Sequence, residues 1–341
     1  MKVCGYNLKG KHILAWMLIS IVFQGSILLF LDKFYFKDNT DVDMKQVNVS
    51  DMSSKPEVHM EIPSESKNVK VSYDGKFIMY NDGTSINIAN TSNGSTQKIE
   101  GLDTGSLLRT TWVNDRNLML FLTREGSKVA LYNYEPEKNT KQKIIDICYY
   151  SSKHKDYDIR TSTITGVIYV RVDNTAYRTD INQTKVTEQS IKISTLSDFF
   201  VLPTQDRLVY QNLNGYIYTT QPRSRIYLNA KRKTTVLGVD DDGVAYFGEL
   251  QSDNKIDTIF SFSIPKNERK RTPITLSSAV ATKDIYISSK GSIFVNNSNS
   301  KVVTEVETGK QTKYDGEFLS FYNYGVTSLV NNKYYKTRFS N

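Results

Sequence analysis

Nucleophilic and metal chemistry start from histidine, cysteine and clustered carboxylates, and this chain offers few of them. Its three histidines are His12, His59 and His154. None has a histidine partner three or four residues away, the spacing that sets two metal ligands on one helical turn. All three read as surface residues. Without a usable histidine, a serine or cysteine nucleophile lacks its usual base. No G-x-S-x-G elbow occurs either. Of the two cysteines, Cys148 sits in the apolar run Ile144-Ile145-Asp146-Ile147-Cys148-Tyr149-Tyr150 and reads as a buried structural thiol. Asp240-Asp241-Asp242-Gly243 invites a calcium reading, but an EF-hand loop needs a glutamate at its twelfth position, and here that position is Gln251. The segment reads as an acidic hairpin turn. No catalytic, metal or cofactor residue is therefore assigned.

Basic residues are the more informative group. The formal net charge is +8. Arg223 and Arg225 lie in Pro222-Arg223-Ser224-Arg225, and Lys266, Arg269, Lys270 and Arg271 lie in Pro265-Lys266-Asn267-Glu268-Arg269-Lys270-Arg271. Such loops attract an acidic protein patch or an anionic polymer, and arginine suits bidentate contacts to carboxylate or phosphate. Solvated surface charge is the competing reading. Nucleic acid is not expected as a partner, because these stretches lack interleaved aromatics and the domain that carries them is expected outside the cell.

That expectation rests on the N-terminus. Residues Ile13 to Leu31 carry no charge. About 19 apolar residues at 1.5 Å per residue match a hydrocarbon core of ~30 Å. Lys2, Lys9 and Lys11 precede the run, which places the N-terminus in the cytoplasm by the positive-inside rule. The run ends in bulky residues rather than a small-residue cleavage site, so an uncleaved single-pass anchor is expected at 13–31, with a cytoplasmic tail at 1–12. Trp16 and Phe34-Tyr35-Phe36 would settle at the two interfaces. Residues 32–56 are polar and patternless and read as a tether. Cys4 and Cys148 would then face opposite sides of the bilayer and could not pair. An exported domain without an internal disulfide, rich in Lys, Asn and Ile, fits a Gram-positive cell surface.

The remainder, 57–341, shows alternating short apolar runs and no sustained helical periodicity. Ile168, Val170 and Val172 alternate, as do Phe260, Phe262 and Ile264. Asp-Gly at 74–75, 82–83 and 242–243 and Asn-Gly at 93–94 and 214–215 suit tight hairpins. The first unit covers 72–99 and the second 112–144. Further units are expected near Ile159, Asp198, Thr235, Ala279 and Glu317. That period predicts an all-β fold of four-stranded blades, a β-propeller of about seven blades, with six as the alternative. The last unit is too short for four strands, and residues 57–62 (EVHMEI) are expected to supply its outermost strand. Both basic loops would join third and fourth strands of neighbouring blades and lie side by side.

Ser72-Tyr73-Asp74-Gly75-Lys76-Phe77-Ile78-Met79-Tyr80 resembles the S-x-D-G-K-x-I-x-Y signature of TolB-like and dipeptidyl-peptidase-IV-type propellers. Trp112 to Leu118, followed by Leu131-Tyr132, is a looser copy. The resemblance implies a fold and no activity, since peptidases of that group add a hydrolase domain that this chain has no room for. The function expected is a non-enzymatic binding or scaffold propeller, an accessory subunit of a cell-envelope or polymer synthesis or secretion assembly. The alternative is a polysaccharide lyase or hydrolase with scattered carboxylates in the propeller funnel.

Overall fold

The computed structural model describes residues 2–3, 6–7, 10–30 and 60–340, apart from 163, 183, 184 and 271. Cys4, the side chain of His12, the tether, residues 57–59 with His59, and Arg271 lie outside them. The chain divides into two compact units, 1–56 and 57–341.

In the first unit one helix, α1, spans Gly10–Phe30. Its side chains are described from 14 to 30. Nearly all are exposed and apolar, with Trp16, Val22, Phe23 and Leu28 each about two-thirds exposed. Among the described residues, no helix is long and apolar enough to cross a membrane.

The second unit is a ring of seven antiparallel sheets, each a meander in sequence order. Blade one runs through Lys67–Val71, Phe77–Asn81, Ile86–Asn90 and Thr96–Lys98. Blade two holds Leu107–Trp112, Met119–Glu125, Lys128–Glu135 and Thr140–Tyr149. Blade three holds Tyr157–Ser162, Val167–Val172, Thr175–Asp180 and Thr187–Lys192. Blade four holds Phe200–Val201, Leu208–Gln211, Ile217–Thr219 and Ser224–Arg225. Blade five opens with Thr234–Val239, Val244–Leu250 and Ile256–Ser263, and two strands, Glu268–Arg269 and Ile274–Val280, share its outer edge. Blade six holds Ile285–Ile287, Ile293–Asn297, Val302–Glu305 and Gln311–Lys313. Blade seven holds Glu317–Tyr322, Gly325–Val330 and Lys333–Arg338. First strands of successive blades adjoin, so they line the axis.

Strand alternation explains the core. Side chains on a strand point to opposite faces in turn. Phe77 and Met79 enter the seam between blades one and two, while Ile78 and Tyr80 enter the seam between blades seven and one. Val167 and Tyr169 face blade four, and Ile168 and Val170 face blade two. Every residue of Val167–Val172 is buried. Seven apolar clusters result, one per seam, rather than one central core.

The last blade is completed by the start of the domain. Glu61 bridges Lys333. The Ile62 amide donates to the Asn332 carbonyl at 2.9 Å, and the Tyr334 amide donates to the Met60 carbonyl at 2.9 Å. Met60 and Ile62 are buried with Ile78, Tyr80, Ala89 and Tyr334. Residues 60–62 thus take the outermost position expected of them.

Two expectations about the units need correction. Residues 72–76 and 113–118 are turns between first and second strands, so blades one and two open at Lys67 and Leu107, not at 72 and 112. Ala279 does not open a unit. It lies in Ile274–Val280, which pairs backwards onto Ile256–Ser263, and blade six opens at Ile285. The openings expected near Ile159, Asp198, Thr235 and Glu317 fall within two residues of the observed strand starts, Tyr157, Phe200, Thr234 and Glu317.

A chain starting at residue 57 should melt like the full-length propeller. A chain starting at residue 64 exposes the seam between blades seven and one. Its loss should resemble the ~2–5 kcal/mol of a large core truncation, a fall in Tm of roughly 5 °C or more by thermal unfolding. Equal melting of the two would show that 60–62 does not close the ring.

Candidate binding surfaces

The meander sorts loops onto two faces. Turns between first and second and between third and fourth strands lie on one face, called lower here. Second-to-third turns and the links between blades lie on the other, the upper face.

The resembling motif is a lower-face turn. Gly75 has φ +73° and its amide donates to the Ser72 carbonyl at 3.0 Å. The Asp74 carboxylate accepts the Lys76 amide at 2.8 Å and, with its other oxygen, the Asn117 side-chain amide of blade two at 2.9 Å. Asp240-Asp241-Asp242-Gly243 is the same turn in blade five. The buried Asp240 accepts the Asp242 and Val244 amides and the Tyr246 hydroxyl, at 3.0, 2.9 and 2.9 Å. It is a hairpin turn, as expected. Among the described residues no group of three His, Cys, Asp or Glu could hold a metal ion.

The axis carries charge. Arg109 on the first strand of blade two donates to Asp158 Oδ1 at 2.9 Å, and Arg160 reaches Asp158 Oδ2 at 3.1 Å and Asp198 at 3.0 Å. Asp158 is 2 % exposed. Burial alone would raise its pKa, but Arg160 and Arg109 outweigh it and hold the carboxyl below its ordinary value. Lys70, on blade one, donates to the Thr110 carbonyl. Two carboxylates do converge here, yet both are committed to arginine, and the lowered pKa of Asp158 is the opposite of what a general acid needs. The cluster ties blades one to four together around the axis. The spacing Asp158-x-Arg160 on a strand signals it, since both side chains must share one face.

The predicted basic residues are brought together only in part. The loop carrying Arg223 joins the third and fourth strands of blade four, and the loop carrying Lys266 does so in blade five, so both are on the lower face. Arg223, Lys266, Arg269 and Lys270 are exposed. Arg269 is pinned, its guanidinium donating to the Leu228 carbonyl of the link from blade four at 2.7 Å. Arg223 leans over Tyr218 at 5.1 Å. Arg225 leaves the group. Its guanidinium lies 3.7 Å from the Tyr216 ring and 4.8 Å from the Tyr227 ring, toward the upper face. The aromatic partners of Arg223 and Arg225 come from outside the basic stretches, from the adjacent strand, its turn and the following link. Among the described residues, none of these five cations has a carboxylate within ion-pair distance, whereas Arg109, Arg160, Arg171, Arg178 and Arg232 each do.

Other expected residues fall as follows. His154 is half-buried, not a free surface histidine, because its Nδ1 meets Asp173 at 2.8 Å. Asp173 also accepts the Lys155 and Asp156 amides, so it organises the link into blade three. Cys148 is half-buried rather than sealed, beside a bulge in its strand, and burial pushes its thiol pKa up. Two shallow concavities, about 350 and 610 Å³, lie at the rims of blades one and two and of blades six and seven. Neither contains a predicted basic residue.

No family model and no curated protein matches the sequence. Solved structures do resemble the fold. A chain in the crystal structure of the Mitotic Checkpoint Complex aligns with TM-score 0.54 at 10% identity, over 89% of this chain and 99% of that one. Hsv2 of Kluyveromyces marxianus aligns with TM-score 0.51 at 15% identity, over 78% and 89%. The chain is a seven-bladed β-propeller. Identity this low speaks to the fold alone.

The axis makes a pH prediction. Burial, aided by Arg109 and Arg160 and opposed by Asp158, lowers the Lys70 pKa from 10.5 to about 8. The folded state therefore disfavours the charged amine. That cost is fully present below about pH 8 and is relieved as the pH rises toward the unfolded value of ~10.4. Urea unfolding of wild type and Lys70→Met at pH 7 and pH 10 should show wild type gaining on the variant, by up to about 3 kcal/mol. A pH-independent difference would rule this out.

Proposed function

We propose that the protein is a membrane-anchored, non-enzymatic binding or scaffold propeller, displayed outside the cytoplasm as an accessory subunit of an envelope or polymer assembly. The observation that carries the binding reading is the set of cations on neighbouring blades four and five, Arg223, Lys266 and Lys270 with Arg269, that lack carboxylate partners among the described residues. Charge left unmatched on adjacent blades draws an anionic partner, an acidic protein patch or an anionic envelope polymer, within a Debye length of ~8 Å. The propeller likeness, which includes a chain of a multi-protein complex, agrees with binding rather than catalysis. So does the engagement of the axial carboxylates by arginine. The TolB-like resemblance of residues 72–80 adds to the scaffold reading.

The anchor is supported by the uncharged run Ile13–Leu31, by the exposed apolar side chains of α1, and by the lysines that precede it. It places the N-terminus in the cytoplasm and the propeller outside. Protease added to intact protoplasts should degrade the propeller and spare a tag at Met1. Protection of the propeller would reverse the topology. Reversal of Arg223, Lys266 and Lys270 to glutamate should cost within about 0.5 kcal/mol of stability, as surface changes do. It should abolish salt-sensitive retention of partners from membranes. Salt-insensitive, unchanged retention would leave these residues as solvated surface.

A further inference from the structure

The upper rim of blade four gathers side chains that the basic loops do not explain. Eight large hydrophobic residues of the propeller are exposed among those described: Tyr149, Ile164, Ile181, Leu196, Leu213, Tyr216, Tyr227 and Tyr324. Half of them, Leu196, Leu213, Tyr216 and Tyr227, come from the three segments that meet at this one place. Leu196 is on the link from blade three, Leu213 and Tyr216 are at the second-to-third turn, and Tyr227 is on the link to blade five. Leu196 is 89% exposed and Tyr227 67%. Single exposed apolar residues are ordinary, but a cluster marks an interaction site.

The cluster is held from beneath by Gln211, itself buried. Its carbonyl accepts the Ser194 amide at 2.8 Å, and its side-chain amide donates to the Gly215 carbonyl at 3.0 Å and the Thr234 carbonyl at 2.7 Å. Gln211 thus holds the link from blade three through its backbone carbonyl, and the turn and the start of blade five through its side chain. Asn212 tightens the turn by accepting the Asn214 and Tyr216 amides, and Gly215 supplies φ +79°. Glu249 accepts the Lys231 and Arg232 amides and fixes the second link further along. The rim is preorganised, which lowers the cost of ordering on binding.

Its charge is one-sided. Arg225 is held between Tyr216 and Tyr227. Lys231 and Lys233 are exposed close by, and among the described residues no carboxylate is ion-paired to any of the three. The local carboxylates Glu249 and Asp257 are taken by Arg232, at 2.9 and 2.6 Å. Tyrosine and arginine are the residues on which interface energy concentrates.

We propose that this rim docks a segment of a partner protein that presents carboxylates beside an apolar side chain, with Arg225 receiving a carboxylate and Leu196, Leu213 and Tyr227 covering the apolar group. The proposal deepens the binding reading above and rests on it. Arginine and lysine alone would suit any anion. The exposed leucines decide for protein, because a carboxylated sugar chain or a lipid headgroup gains little from them.

The test uses the full-length chain in neutral detergent and a short fluorescein-labelled peptide with Asp and Leu at alternate positions, read by fluorescence polarisation. Counterparts replace Leu by Ser or Asp by Lys. The Asp–Leu peptide should bind, and both counterparts should bind roughly tenfold more weakly or not at all. Arg225→Ala and, separately, Leu213→Ser should each weaken binding roughly tenfold with unchanged thermal unfolding, while Ile181→Ser on the opposite face should not. Equal binding of the Asp–Ser peptide overturns the proposal, as does displacement by polygalacturonate or dihexanoyl-phosphatidylglycerol as efficient as by unlabelled peptide. Failure of the Asp–Leu peptide to bind also overturns it. If reversal of Arg223, Lys266 and Lys270 on the lower face still abolishes partner retention, the general binding reading survives that failure. If it does not, both fall.

Discussion

Burial of both faces of every blade is the constraint on which this fold depends. A sheet covered on one side can end at its partner, but here each sheet sends alternate residues into two seams. Ile78 and Met79 are neighbours in sequence and lie in different clusters. An open row of such sheets would always leave two apolar faces in water. The row must therefore close, and closure places blade seven against blade one. The seam made there is where the two ends of the propeller meet: Met60 and Ile62 from its start pack with Tyr334 near its end. The apolar area at that seam, at about 25 cal/mol per Å², is gained only when the whole ring has formed, which makes the ring cooperative.

Closure also dictates where polar groups go. Charges on the first strands pair across blades: Arg109 and Arg160 flank the buried Asp158. Lower-face turns turn their carboxylates sideways onto a neighbouring blade and accept donors from it. Asp74 accepts from Asn117, and Asp206 accepts from Tyr169 and Arg178 of blade three at 2.7 Å each. Tyr286 of blade six donates to Asn323 of blade seven. These contacts add direction to the apolar seams. They fix the rotation of one sheet against the next, which nonspecific burial does not.

Much of this was legible because it repeats. Period-two alternation recurs from blade to blade, Asp-Gly and Asn-Gly turns mark blades one, four and five, and a short last unit beside a stray strand-like segment at 57–62 implies a closing strand. Legibility failed where one blade departs from the rule. Ile274–Val280 has the alternation of an opening strand, but its partner is the third strand of blade five, Ile256–Ser263, and pairing direction leaves no mark in composition. The basic residues show a second failure. Arg223 and Arg225 were grouped by proximity in sequence, yet a strand carries position 225 away from the loop and onto two rings. A cross-strand reading would have found this, since Arg225 pairs with Tyr218 and the period of two then sets Tyr216 and Tyr227 on the same face. The role of His154 was hidden for another reason: its partner Asp173 sits in a different turn, and loop-to-loop contacts have no period.

A propeller's binding sites leave weak sequence signals for a physical reason. Each blade contributes its own turns and one link to a face, and a surface patch draws one or two residues from several of them. Leu196, Leu213 and Tyr227 belong to three segments spread over 32 positions, since 227 − 196 is 31 intervals, and Gln211 joins the first link, the turn and the start of blade five beneath them. The scaffold contributes rigidity, and identity resides in a handful of rim side chains that the core does not constrain. The same separation explains why the seams can be read without knowing the partner. It also follows that substitutions at Leu213 or Arg225 alter recognition without touching a seam, whereas a substitution at Gln211 would free the second-to-third turn from the start of blade five.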